Sequence, residues 1–92
     1  MYVILPYTKN KAKQLNVIVK PSNRKNKKID VFNSKGQFLV SIGDINYLDY
    51  PYYIRIYDKE FADYRRKLYK KRHSKDRQVK FSAGWFADKL LW

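Results

Sequence analysis

Polar and apolar positions alternate most regularly between residues 15 and 44. Leu15, Val17 and Val19 alternate with Asn16, Ile18 and Lys20, which predicts a strand with one inner face. Pro21 ends it, and Ser22–Lys28 reads as a polar, basic connection. Ile29–Asn33 and Gln37–Ile42 are β-rich runs on either side of Asn33-Ser34-Lys35-Gly36, where Gly36 can take a positive φ and close a hairpin. Ile29 and Val31 then share a buried face with Phe38, Val40 and Ile42. Gly43-Asp44 closes this β-meander, spanning 15–44.

The flanking segments follow other patterns. Residues 1–14 contain the short apolar run Tyr2–Thr8, broken by Pro6, and the basic stretch Lys9–Lys13. Together they predict an N-terminal arm or edge strand followed by a loop. Residues 45–57 are dense in tyrosine. Pro51 forbids a long helix through their centre, so a loop with at most one helical turn is expected. Residues 58–75 predict the main helix, with Asp58 as N-cap, Glu60 and Asp63 near its positive end, and Lys/Arg/His at its negative end. Residues 81–92 form an apolar, aromatic segment that could be a short helix or a packed tail.

On the helical wheel Phe61, Tyr64 and Leu68 form one stripe, with Ala62 and Tyr69 beside it. Arg66, Lys67, Lys70 and Lys71 cover the opposite face. Arg65 and Arg72 fall inside the apolar arc. Buried arginines must be paired, with Asp44, Asp49, Asp88, the Trp92 carboxylate and the rings of Trp85 and Trp92 as candidate partners. This assigns Arg65, Arg72, Trp85 and Trp92 a structural role, the two arginines gripping the Trp85–Trp92 segment. The fold class expected is α+β: a single domain with a small antiparallel meander of three or four strands, one basic amphipathic helix packed on it, and a C-terminal aromatic segment.

Composition adds a strong electrostatic bias. The 92 residues hold 21 Lys/Arg against 8 Asp/Glu, a formal charge of +13. Residues 1–29 have eight bases and no acid, 30–58 are net −2, 59–80 net +7 and 81–92 neutral. Residues 65–77 alone contain eight Lys/Arg. Such a charge selects nucleic acid, an acidic protein or an anionic membrane face as partner. A membrane surface is disfavoured, because the apolar side of the helix contains Arg65 and Arg72 and is needed for the core. No apolar stretch approaches the ~20 residues of a membrane span. The N-terminus has no basic n-region or cleavage site of a secretory signal. Cytosol, nucleus and the interior of a virus particle stay open.

Catalytic chemistry finds little support. The one histidine, His73, lies next to Ser74, whereas a nucleophile–base pair needs spatial opposition and an orienting third group. One histidine without cysteine makes no zinc site, and the carboxylates show no calcium-loop spacing. The three glycines are isolated and form no phosphate loop. The reading is therefore a non-enzyme with no cofactor and no metal. The candidate anion-binding residues are Arg66, Lys67, Lys70, Lys71, Lys75 and Arg77. No acid occurs between residues 64 and 75, so these cations could track the phosphates of a backbone strand. Exposed tyrosines could stack on unpaired bases, or could pack at the sheet edge with their hydroxyls outward. No sequence-specific reader is visible.

Ile42-Gly43-Asp44, Asp49-Tyr50, the run Tyr64–His73, Ser82-Ala83-Gly84-Trp85-Phe86 and the closing Leu90-Leu91-Trp92 resemble a family of small basic proteins of nucleocytoplasmic large DNA viruses. The resemblance covers residues 29–92 and implies a small α+β domain with no catalytic residues. It implies location in the virion, or in host cytoplasm or nucleus during infection. The implied function is a non-enzymatic structural or minor capsid protein of the particle, bound to a viral capsid protein. The alternative is a sequence-nonspecific DNA- or RNA-binding protein that coats the packaged genome.

Overall fold

Turn chemistry sets the register of the sheet. In the computed structural model, which describes residues 1–92, the Asn33 side chain accepts the amides of Lys35 (3.0 Å) and Gln37 (2.9 Å), and Gly36 turns the chain at φ 84°. This hairpin joins β2 (Lys27–Phe32) to β3 (Phe38–Asp44), and β1 (Ile18–Pro21) pairs on the other side of β2, giving an antiparallel β1-β2-β3 meander. With four α-helices the chain is α+β, as the sequence predicts. It comprises two units, Met1–Asn46 and Tyr47–Trp92.

The inner face of the sheet follows the alternation in the sequence: Ile29, Val31 and Ile42 are fully buried. Phe38 departs from it. Pairing runs Ile29↔Ile42 and Val31↔Val40, then shifts to Phe32↔Phe38. Leu39 is thus an extra residue, a β-bulge that puts Phe38 on the face of Phe32 and not that of Val40. Phe38 and Leu39 are both 43% exposed in consequence.

Residues 6–15, read from the sequence as arm and loop, instead form a helix, α1 (Pro6–Leu15), which packs on β1. Pro6 sits in its first turn, where a missing N–H costs nothing. Its buried residues are Thr8 and Ala12, one turn apart, so a helical period is present but written in residues too small and polar to register as an apolar stripe. Asn16, left-handed at φ 57°, caps the helix, which takes Leu15 out of the predicted strand.

The second unit contains α2 (Tyr50–Ile56), α3 (Lys59–Arg72) and α4 (Ala83–Leu91), with a 3₁₀ turn at Asp76–Gln78. Helix α2 replaces the expected loop: Asp49 caps it through the Tyr52 amide (3.3 Å), and Pro51 again lies in a first turn. Asp58 caps α3 by accepting from the Phe61 amide at 2.7 Å, and α2 packs on α3. Ser82 caps α4, which buries Phe86, Leu90 and Leu91, each contributing about 1.5–3 kcal/mol. The 3₁₀ turn lies so close to α4 that a Cβ on Gly84 would come within 2.7 Å of Asp76 Cβ and 2.8 Å of its carbonyl oxygen, so glycine is required there.

Candidate anion-binding site

The buried stripe of α3 is rotated from the one that the wheel predicts. Ala62 and Tyr69 are the buried residues, while Phe61 (37%) and Tyr64 (55%) are exposed. The inward positions go to side chains with an apolar body and a polar tip. Arg66 lies 3.9 Å from the centroid of the Tyr50 ring and 3.5 Å from Asp63. Lys70 donates to Asp88 at 2.7 Å; the Asp88 side chain is 4% exposed.

This redistributes the predicted roles. Of the six candidate anion binders, Arg66 and Lys70 are engaged in the fold, and Arg77 donates its Nε to the Lys70 carbonyl at 3.1 Å, covering an end of α3. Those three are not an outward-facing set. Lys67, Lys71 and Lys75 are exposed and have no carboxylate within ion-pairing distance. Arg72, assigned a buried gripping role by the wheel, is also exposed and unpaired. Arg65 is half-buried, its guanidinium 5.3 Å from the Tyr53 ring and not on the tryptophans. The C-terminal segment is held instead by Lys70–Asp88 and by Trp92, which stacks on Tyr69 at 4.3 Å and 6°. Trp85 is half-buried against Phe81 and Phe86.

Lys67 and Lys71 are one turn apart on the same face of α3; Arg72 is its last residue and Lys75 follows three residues on. The nearest acids are occupied. Asp63 accepts from the Tyr50 hydroxyl (2.6 Å) and Lys59 (2.9 Å), which hold its carboxyl below the usual range. Asp76 contacts His73 Nδ1 at 2.8 Å, and the His73 ring stacks on Tyr69. His73 thus closes the C-terminal end of α3, its backbone N–H donating to the Tyr69 carbonyl. The Tyr69 hydroxyl titrates at about 12, raised by burial first and then by the charges of Asp88 and Asp76. No three His, Asp or Glu side chains converge on a point that could hold a metal ion, and no helix is long and apolar enough to cross a membrane.

The basic N-terminal stretch seen in the sequence forms a second cationic region, from which no anion-binding residues were singled out. The first unit has nine Lys/Arg and two acids, a net +7. Lys9, Lys13, Lys25, Lys27 and Lys35 are exposed and unpaired. The apolar arm fares differently. Tyr2, Ile4 and Leu5 are buried within the chain, while Met1 and Val3 are exposed. An exposed aromatic row lies in the second unit, where Tyr57, Phe61 and Tyr64 have successive ring centroids 4.9 and 6.3 Å apart. Comparison with protein-family models, with curated proteins and with solved structures returns no match.

Proposed function

We propose that this chain is a non-enzymatic protein that binds nucleic acid through its phosphates, without reading sequence. The observation behind this is the division among the cations of residues 65–77. Arg65, Arg66, Lys70 and Arg77 are engaged by rings, carboxylates or a backbone carbonyl, and Lys67, Lys71, Arg72 and Lys75 are left exposed and unpaired in the C-terminal half of α3 and just beyond it. Solubility alone is served by mixed charge; a one-signed surface on a capped helix suits a polyanion with regularly spaced charges. The particle of a large DNA virus, the setting implied by the C-terminal resemblance, would supply such a polyanion in its genome. The test is binding of two duplexes of unrelated sequence at ~50 mM salt. Comparable affinity for both, lost in Lys67→Glu/Lys71→Glu, is expected. Strong preference for one sequence, or unchanged binding by the double variant, would overturn the reading.

A second reading, a minor capsid component bound to a coat protein, is favoured by the exposed row Tyr57, Phe61 and Tyr64 with Ile54 and Ile56 nearby on α2. Exposed aromatics are enriched in protein interfaces. It predicts that Tyr57→Ser/Tyr64→Ser disrupts particle association and leaves DNA binding intact; the opposite pattern would remove it.

A further inference from the structure

The face of the sheet opposite the buried Ile29, Val31 and Ile42 carries two phenylalanines with a lysine on the neighbouring row, and Lys28 at its far end is buried. Its two outer rows are Ile18–Phe32–Phe38 and Lys20–Asp30–Ser41, as the pairing of β1, β2 and β3 dictates. Phe32 and Phe38 meet edge to face, centroids 5.8 Å apart. Over them lie two cations, Lys20 Nζ 5.4 Å from the Phe32 ring and the Arg24 guanidinium 4.5 Å from the Phe38 ring. Neither cation has an ion pair. The only acid in these two rows is Asp30, which accepts from Ser41 at 2.6 Å. Burial pushes its carboxyl up, but the Ser41 and Ser22 hydroxyls and the Arg24 charge outweigh this and keep it low, hence ionised.

The bulge at Leu39 is what turns Phe38 to this side, leaving a large apolar ring 43% exposed on a rigid element. Phe38 is thus an exposed ring beside the half-buried Phe32, an apolar patch that a partner could cover. The surrounding charge says which partner. With a net +7 in this unit, a second copy of the chain would bring like charge against like. A single-stranded nucleic acid supplies both requirements, since its unpaired bases present π faces and its backbone presents phosphates. In a duplex the base faces are stacked on one another and unavailable.

We propose that this sheet face is a second nucleic-acid site, which stacks unpaired bases on Phe32 and Phe38 while Lys20 and Arg24 hold the adjoining phosphates. The inference rests on the phosphate-binding reading above and adds the kind of strand preferred.

The experiment compares the full chain on a twelve-nucleotide oligo-dT and on an abasic oligomer of the same length, which has the phosphates without the bases. Tighter binding of oligo-dT, by about tenfold or more, is expected from one or two stacked bases. Phe38→Leu, which keeps an apolar group but no π face, should remove most of that preference. Phe32→Leu, the same change at the other ring of the pair, should lower it if Phe38→Leu does not fold. Lys67→Ala/Lys71→Ala should weaken both oligomers alike and leave the ratio standing. Equal affinity for the two oligomers overturns the stacking site and leaves phosphate binding in place. A preference that survives both Phe38→Leu and Phe32→Leu also overturns it, by placing the stacking elsewhere. Binding of neither oligomer removes this site and the phosphate-binding reading together.

Discussion

Lys70 and Arg72 are two positions apart and exchange the roles that their sequence context suggests. Lys70 Nζ meets a carboxylate, Asp88, whose side chain is 4% exposed. Removing it leaves a buried charge without its counterion. Lys70→Ala should therefore cost about 2–3 kcal/mol, less than the ~3–5 kcal/mol of a fully buried pair because Lys70 itself is a third exposed. Arg72→Ala should stay within about 0.5 kcal/mol of the parent. Urea midpoints of the two variants check this, and equal midpoints would remove Lys70–Asp88 as the pin of the C-terminal segment. Asp63 makes a pH prediction at the same scale. The Tyr50 hydroxyl first, then Lys59, lower its carboxyl from 3.8. A carboxyl lowered on folding stabilises fully above its unfolded value, and the contribution is lost as pH falls through the lower folded value. Stability should decline on acidification below about pH 4, and Asp63→Asn should flatten part of that decline while Asp30, also lowered, retains its share. An identical acid limb in Asp63→Asn would contradict the Tyr50–Asp63–Lys59 cluster.

At the scale of elements, α3 is the best specified part of the chain. Its cap, acidic first turn and basic last turn all agree with the helix dipole. Asp58→Ala should cost about 1 kcal/mol, read from the denaturation midpoint, and a neutral result would mean that the Phe61 amide finds another acceptor. The α+β class, the three-stranded meander and the Gly36 turn were equally legible, because alternation and turn chemistry are local signals. What the sequence hid has physical causes. Helix α1 presents Thr8 and Ala12 inward, so its period is invisible to a hydrophobic pattern, and both Pro6 and Pro51 start helices instead of breaking chains. The bulge at Leu39 is a one-residue shift in pairing that alternation alone cannot reveal, and it reverses the side on which Phe38 falls. The α3 stripe was misplaced because large rings outscore small or amphipathic residues on a wheel. Here Ala62 and the stems of Arg66 and Lys70 face inward while Tyr64 stays out. Half of the candidate anion site was therefore legible as chemistry, but its members could be sorted only once the positions of Asp63 and Asp88 were known.

For the whole molecule, positive charge is shared between the two units, +7 and +6, and not confined to the basic run that dominates the sequence. Several acids are used internally, Asp58 as a cap, Asp88 as an ion-pair partner of Lys70 and Asp30 as an acceptor from Ser41, and most of the cations are left exposed. That arrangement is what makes a polyanion the expected partner. The most direct test is the slope of log K against log salt for the full chain on duplex DNA. Neutralising about four phosphates at Lys67, Lys71, Arg72 and Lys75, at ~0.9 per phosphate, predicts a slope of about −3 or steeper. No binding at ~50 mM salt, or a slope shallower than about −1, would contradict the account.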